Sequence, residues 1–135
     1  MADNVEIGPT GKTRKITRRS AKGKGRGFQK DVARAIREYN NLSDSDVRST
    51  AASVPGEDIL FSELGRHTFP FSVECKNQEH INIWQAIEQA DKNSNGHIPI
   101  VVFKKNHSET YVTINFEDFL AIIKHGVGYL RVNNA

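Results

Sequence analysis

Seven consecutive residues, His97-Ile98-Pro99-Ile100-Val101-Val102-Phe103, are apolar at nearly every position after the histidine. Side chains of a strand alternate between its two faces, so a strand of this kind needs cover on both and belongs inside a sheet. The cover is legible as well. From residue 27 to about 41, Phe28, Val32, Ala35, Ile36 and Tyr39 recur at three- and four-residue intervals, the period of an amphipathic helix. A second helix is predicted from about 82 to 93, with Ile83, Trp84, Ile87 and Ala90 on its apolar face and the turn Asn93-Ser94-Asn95-Gly96 at its end. A strand over 110–114 and a helix over 116–124 close the chain, Ser43 to Asp46 form a polar turn, and Glu63 to His67 read as a loop. Helix, strands, helix, strand, strand, helix is the order of an α/β fold with a central mixed β-sheet flanked by helices.

The chemistry gathers on two segments between the first two helices. Phe69-Pro70-Phe71-Ser72-Val73 is apolar and strand-prone, and it runs into Glu74-Cys75-Lys76. Residues two apart share a sheet face, so Glu74 and Lys76 point together and Cys75 points away. An earlier strand, Gly56-Glu57-Asp58-Ile59-Leu60, brings Asp58 to them if the two lie side by side. Glu-x-Lys alone is common as a solvated ion pair. At the end of an apolar strand and joined by Asp58, it matches a metal-dependent phosphodiesterase: two carboxylates supply hard oxygen ligands for Mg²⁺, and the ammonium positions water and offsets phosphate charge. Cys75, the single cysteine, excludes an internal disulfide and is expected in the core.

Charge is distributed unevenly. Residues 1–30 hold nine Lys or Arg against two acids, and residues 31–135 hold ten against fourteen. The basic stretch has neither helical nor strand periodicity in its apolar residues, so a flexible arm over residues 1–21 is expected, with a polyanion as its partner. A solubilising tail is the plain alternative. Gly8-Pro9-Thr10-Gly11-Lys12-Thr13 ends like a phosphate-binding loop, but Glu6 stands where that motif needs its first glycine and no apolar strand precedes it. The chain has 135 residues, 37% hydrophobic, which suits one compact domain. It lacks any run of about 18 apolar residues and any apolar segment at its charged start, so no membrane partner and a cytoplasmic location are expected.

The succession of a helix, an Asp strand, a Glu-x-Lys strand, a helix and an apolar strand resembles the PD-(D/E)xK nuclease superfamily, whose core is restriction-endonuclease-like. The similarity is closer to archaeal-type Holliday junction resolvases and related small phage nucleases. Lys24-Gly25 followed by Phe28-Gln29-Lys30-Asp31 resembles the start of the resolvases' first helix, and Ala51-Ala52-Ser53 before Gly56-Glu57-Asp58-Ile59 resembles their Ala-Ser-Gly loop before Pro-Asp-Ile. The resemblance covers roughly residues 22–120 and implies a nuclease domain over 22–125, followed by a tail over 126–135. It further implies Asp58, Glu74 and the Cys75 carbonyl as ligands of Mg²⁺, for which Mn²⁺ can substitute, and Lys76 as the residue acting on water. Gln29 stands where resolvases have a metal-binding glutamate, and Gln85 resembles the glutamine of their next helix. Arg18, Arg19, Lys22, Lys24, Arg26, Lys30, Arg48 and Ser53 are the expected DNA contacts. The expected activity is Mg²⁺-dependent hydrolysis of branched DNA by a homodimer, in a bacterial or phage-infected cell. The rivals are a nicking or general DNA nuclease of the same superfamily and a non-catalytic DNA-binding protein on the same fold.

Overall fold

The computed structural model describes residues 18–51 and 54–127, with side chains from residue 23 onward. Its elements are α1 (Arg18–Asn40), β1 (Val47–Ser49), β2 (Ile59–Phe61), α2 (Glu63–Thr68), β3 (Phe71–Asn77), α3 (Ile83–Lys92), β4 (Ile98–Lys104), β5 (Tyr111–Thr113) and α4 (Phe116–His125). β3 and β4 run parallel with Val73 opposite Ile100, and the helix α3 supplies the crossover between them. β5 then pairs antiparallel with β4, giving the sheet order β3-β4-β5. β1 and β2 form a separate antiparallel hairpin. The hairpin is tied to β3 by one backbone bond, Asp58 N–H to the Val73 carbonyl (3.1 Å).

Alternation along the strands divides the core in two. On one face, Phe71, Val73, Ile98 and Ile100 meet Phe28, Val32, Ala33 and Ile36 of α1, together with Val47 and Ile59 of the hairpin. On the other, Val101 and Phe103 meet Ala86, Ala90, Ile83 and Ile87 of α3. The doubly apolar strand is therefore covered on both sides, as its sequence requires. Pro99 sits beyond the last pair with β5, where a missing N–H breaks no ladder on that side.

Several elements differ from their sequence expectation. α1 begins at Arg18, nine residues before the expected start at Gly27, so a stretch read as arm is helical. Residues 1–17 and 128–135 lie outside the described residues. The loop expected from Glu63 to His67 is the helix α2, started by Ser62, whose hydroxyl accepts from Gly65 N–H (3.0 Å) and donates to Asp46 (2.7 Å). β1 was not expected at all; it is only three residues long and follows the polar turn directly. Two aromatic residues assigned to inward faces, Tyr39 and Trp84, are exposed. Ala33 of α1 and Ala86 of α3 are buried in their place, and Ala35, expected on the apolar face of α1, is exposed.

Candidate active site

Asp58 is fixed by four hydrogen bonds at a bend just before β2. Its N–H donates to Val73, and its carbonyl accepts from the Thr50 N–H (3.0 Å) and hydroxyl (3.3 Å). Its carboxylate accepts from the Cys75 N–H at 2.7 Å. The expected neighbouring strands are thus present, but Asp58 reaches β3 from the bend rather than from within a strand. A clamp holds the segment before it. Arg66 of α2 pairs with Glu57 (3.1 Å), donates to the Phe71 carbonyl (2.7 Å), and lies over the Phe61 ring at 4.7 Å. Thr50 and Arg66 carried no signal in the sequence, because their partners are a backbone carbonyl and a side chain from another element.

Glu74 and Lys76 face the α3 side of the sheet, and Cys75 faces the core on the α1 side, as alternation predicts. The edge of β3 nearest Asp58 is made by its odd-numbered residues: Val73 offers its carbonyl there and Cys75 its N–H. N–H and C=O of one extended residue lie on the same edge, so the Cys75 carbonyl is on Asp58's side as well. The Lys76 ammonium donates to Gln89 Oε1 at 3.0 Å. Gln89, one turn beyond Gln85 on α3, is therefore the amide that meets Lys76. Gln85 is exposed, and its N–H is taken by the Asn82 cap.

Two acids side by side at the end of a buried strand are electrostatically unsatisfied. Burial raises Glu74, the neighbouring Asp58 charge raises it further, and its carboxyl titrates at about 7 although Lys76 pulls the other way. Burial also lifts Asp58, against the Cys75 N–H, Glu74 and Lys76. Burial pushes the Cys75 thiol well above its ordinary range, which disfavours the thiolate. Glu74 is 3% exposed, and its Oε2 is buried without a hydrogen-bond partner. A lone carboxylate oxygen beside a second carboxylate and a backbone carbonyl is the donor set a hard divalent cation takes, with water and phosphate oxygens filling its remaining positions. The residues present fit such an ion. Among the described residues no group of three or more His, Cys, Asp or Glu side chains is arranged to hold a metal, so this set depends on the carbonyl.

Residues 20–133 match the model of a family described as phage putative PDDEXK endonuclease. The chain belongs to that family. The match spans the Asp58 bend, the Glu74-Cys75-Lys76 strand and both flanking helices, and with the mixed sheet it identifies the fold as restriction-endonuclease-like. No match was found among curated proteins or solved structures.

The other expected positions of this PDDEXK endonuclease are scattered. Gln29 is half-buried on α1, the helix that packs on the face of the sheet opposite α3. Arg26, Lys30 and Arg48 are exposed. Lys24 is buried, 6% exposed, near Glu79 and Lys104, and burial lowers its pKa. Arg18, Arg19 and Lys22 lie on α1 with side chains outside the described residues, and Ser53 is outside them altogether. No helix of the described residues is long and apolar enough to cross a membrane.

Proposed function

We propose that this PDDEXK endonuclease cleaves DNA phosphodiester bonds at Asp58, Glu74 and Lys76 with Mg²⁺ as its cation, replaceable by Mn²⁺, and that its substrate is a four-way junction cut by two copies of the chain in a host-cell cytoplasm. The observation that carries the reading is the half-buried Asp58 next to the buried Glu74, whose orphaned oxygen lies beside Lys76. Asp58, Glu74 and the Cys75 carbonyl would hold the ion, which when bound supplies Lewis-acid polarisation of the phosphate and stabilises the leaving 3′ oxygen. The fixed backbone of Asp58 sets its carboxylate before substrate arrives, so little reorganisation accompanies reaction. Lys76, steered by Gln89, holds the attacking water by hydrogen bonding and offsets charge growing on the phosphate. The thiol of Cys75 takes no part.

Cations of α1 add a grip on the DNA backbone to the contacts at the acids. Exposed Arg26 and Lys30 are one helical turn apart on α1, and Arg18 and Lys22 continue the same four-residue spacing toward its start. A basic ridge of this kind contacts phosphates without reading sequence and gives salt-sensitive affinity. Each chain has one site, and a junction needs opposed cuts on two strands, so a two-fold dimer supplies the pair. The preference for junctions rests on the resemblance to resolvases in the first helix and in the loop before Asp58.

Cleavage of an end-labelled four-way junction and of a linear duplex of equal length, each with Mg²⁺ and with EDTA, tests the reading. Paired, Mg²⁺-dependent cuts confined to the junction support all of it. Equal cutting of both substrates keeps the site and removes the junction preference. Salt-sensitive binding without cutting in any divalent metal overturns the hydrolytic reading in favour of a DNA-binding protein, for which the neutral Gln29 is then the reason.

A further inference from the structure

The last helix, α4, is apolar on two sides. Ala121 and Ile122 pack against the main core. Phe116, Phe119, Leu120 and Ile123 are 70, 45, 47 and 69% exposed, and no residue of α4 is buried. Steps of three, one and three residues place these four along one stripe of the helix. The stripe continues onto the edge strand β5, where Phe119 and the exposed Val112 line one groove of about 560 Å³. Single exposed apolar residues are ordinary, whereas a contiguous stripe continuing into a groove marks an interaction surface.

We infer that the occupant is a second copy of this chain, with the two α4 helices packed antiparallel about a two-fold axis near Phe119 and Leu120. The charges at the helix ends select this arrangement. At 100° per residue, Glu117 in the first turn and Lys124 in the last flank the stripe on one side, whereas Asp118 and His125 fall on the side of Ala121 and Ile122. Antiparallel pairing sets Glu117 of each copy against Lys124 of the other while the apolar stripes meet between them. A patch complementary to itself under a two-fold rotation is what an isologous contact requires. A parallel pairing would oppose like charges at both ends.

The assignment rests on the two-site nuclease reading for its purpose and on α4 for its geometry, and the two fail separately. A monomeric protein that still cleaves DNA overturns the interface alone. A dimer that never cleaves overturns the nuclease reading alone.

Sedimentation equilibrium of the full chain over a range of concentrations tests it, with the wild type, Leu120→Asp, Glu117→Lys, Lys124→Glu and the last two combined. The wild type is expected to dimerise. Leu120→Asp, at the centre and present twice, should raise the dissociation constant at least about thirtyfold. Each single charge reversal should raise it about tenfold, and the double reversal should return it to near the wild-type value. Both reversals oppose the helix dipole, so recovery in the double variant cannot come from a more stable helix. If Leu120→Asp does not fold, as circular dichroism would show, the exposed charge reversals carry the test. A wild type that is monomeric at every concentration overturns the inference, including the case in which residues 128–135 cover the stripe. So does a dimer indifferent to the single reversals, or a double variant no tighter than they are.

Discussion

Replacing Glu74 by Gln should stabilise the metal-free protein at alkaline pH even though it removes a residue proposed to act in catalysis. Folding lifts the Glu74 carboxyl from its ordinary 4.5 to about 7, first by burial and then by the charge of Asp58. A raised acid makes the folded state bind its proton more tightly than the unfolded state does. Its favourable contribution is complete below about 4.5 and is lost as pH rises through about 7. Each tenfold change in proton affinity is about 1.4 kcal/mol, which sets a ceiling of about 3 kcal/mol. Water at the open end of β3 and a proton shared with Asp58 reduce this to about 1–2 kcal/mol. Gln is neutral at every pH, nearly the same shape, and able to donate to Asp58. Urea unfolding in EDTA should therefore find Glu74→Gln about 1–2 kcal/mol more stable than the wild type at pH 8 and equal to it at pH 4.5. Adding Mg²⁺ at pH 8 should stabilise the wild type and leave the variant unmoved. A variant less stable than the wild type at pH 8 in EDTA, or a difference independent of pH, would refute the account of strain between the two acids.

Other consequences are more local. A Cβ on Gly65 would run into the Asp46 backbone carbonyl, so Gly65→Ala should destabilise the chain by about 1–3 kcal/mol in urea unfolding, α2 and Arg66 shifting with it. Gly25 lies inside α1 with nothing within 4 Å of an added Cβ, so Gly25→Ala should raise helical circular dichroism and stability by about 0.5–1 kcal/mol. Gln89→Leu frees the Lys76 ammonium from its acceptor, and single-turnover cleavage should slow about tenfold with DNA affinity unchanged. Reversing Arg26 and Lys30 to Glu should weaken binding to every DNA alike and flatten its salt dependence, measured by fluorescence anisotropy.

What was legible in the sequence is what a short-range pattern encodes. The run from Ile98 to Phe103 demands cover on both faces, and α1 and α3 provide it. The two-residue period of β3 puts Glu74 and Lys76 on one side and Cys75 on the other. Tertiary placement was harder to read. Tyr39 and Trp84 fit their helices' apolar periods, yet both rings face water, while Phe28, Ala33 and Ala86 are buried. The early start of α1 was hidden because its first turns carry glycines and cations rather than an apolar stripe. The four-residue spacing of Arg18, Lys22, Arg26 and Lys30 was the available signal. Gln89 and Gln85 are equivalent in sequence, and only the crossing of α3 over β3 chooses between them. Thr50 and Arg66 hold Asp58 and its approach through contacts between distant segments, for which local sequence carries no pattern.

The most direct test is single-turnover cleavage of a labelled four-way junction in Mg²⁺ by the wild type, Asp58→Asn, Glu74→Gln and Lys76→Ala, with junction binding measured in parallel. The account predicts that each variant binds the junction as the wild type does and cuts it at least about a hundredfold more slowly. Cleavage at the wild-type rate by any one of the three would contradict the placement of the chemistry at the end of β3.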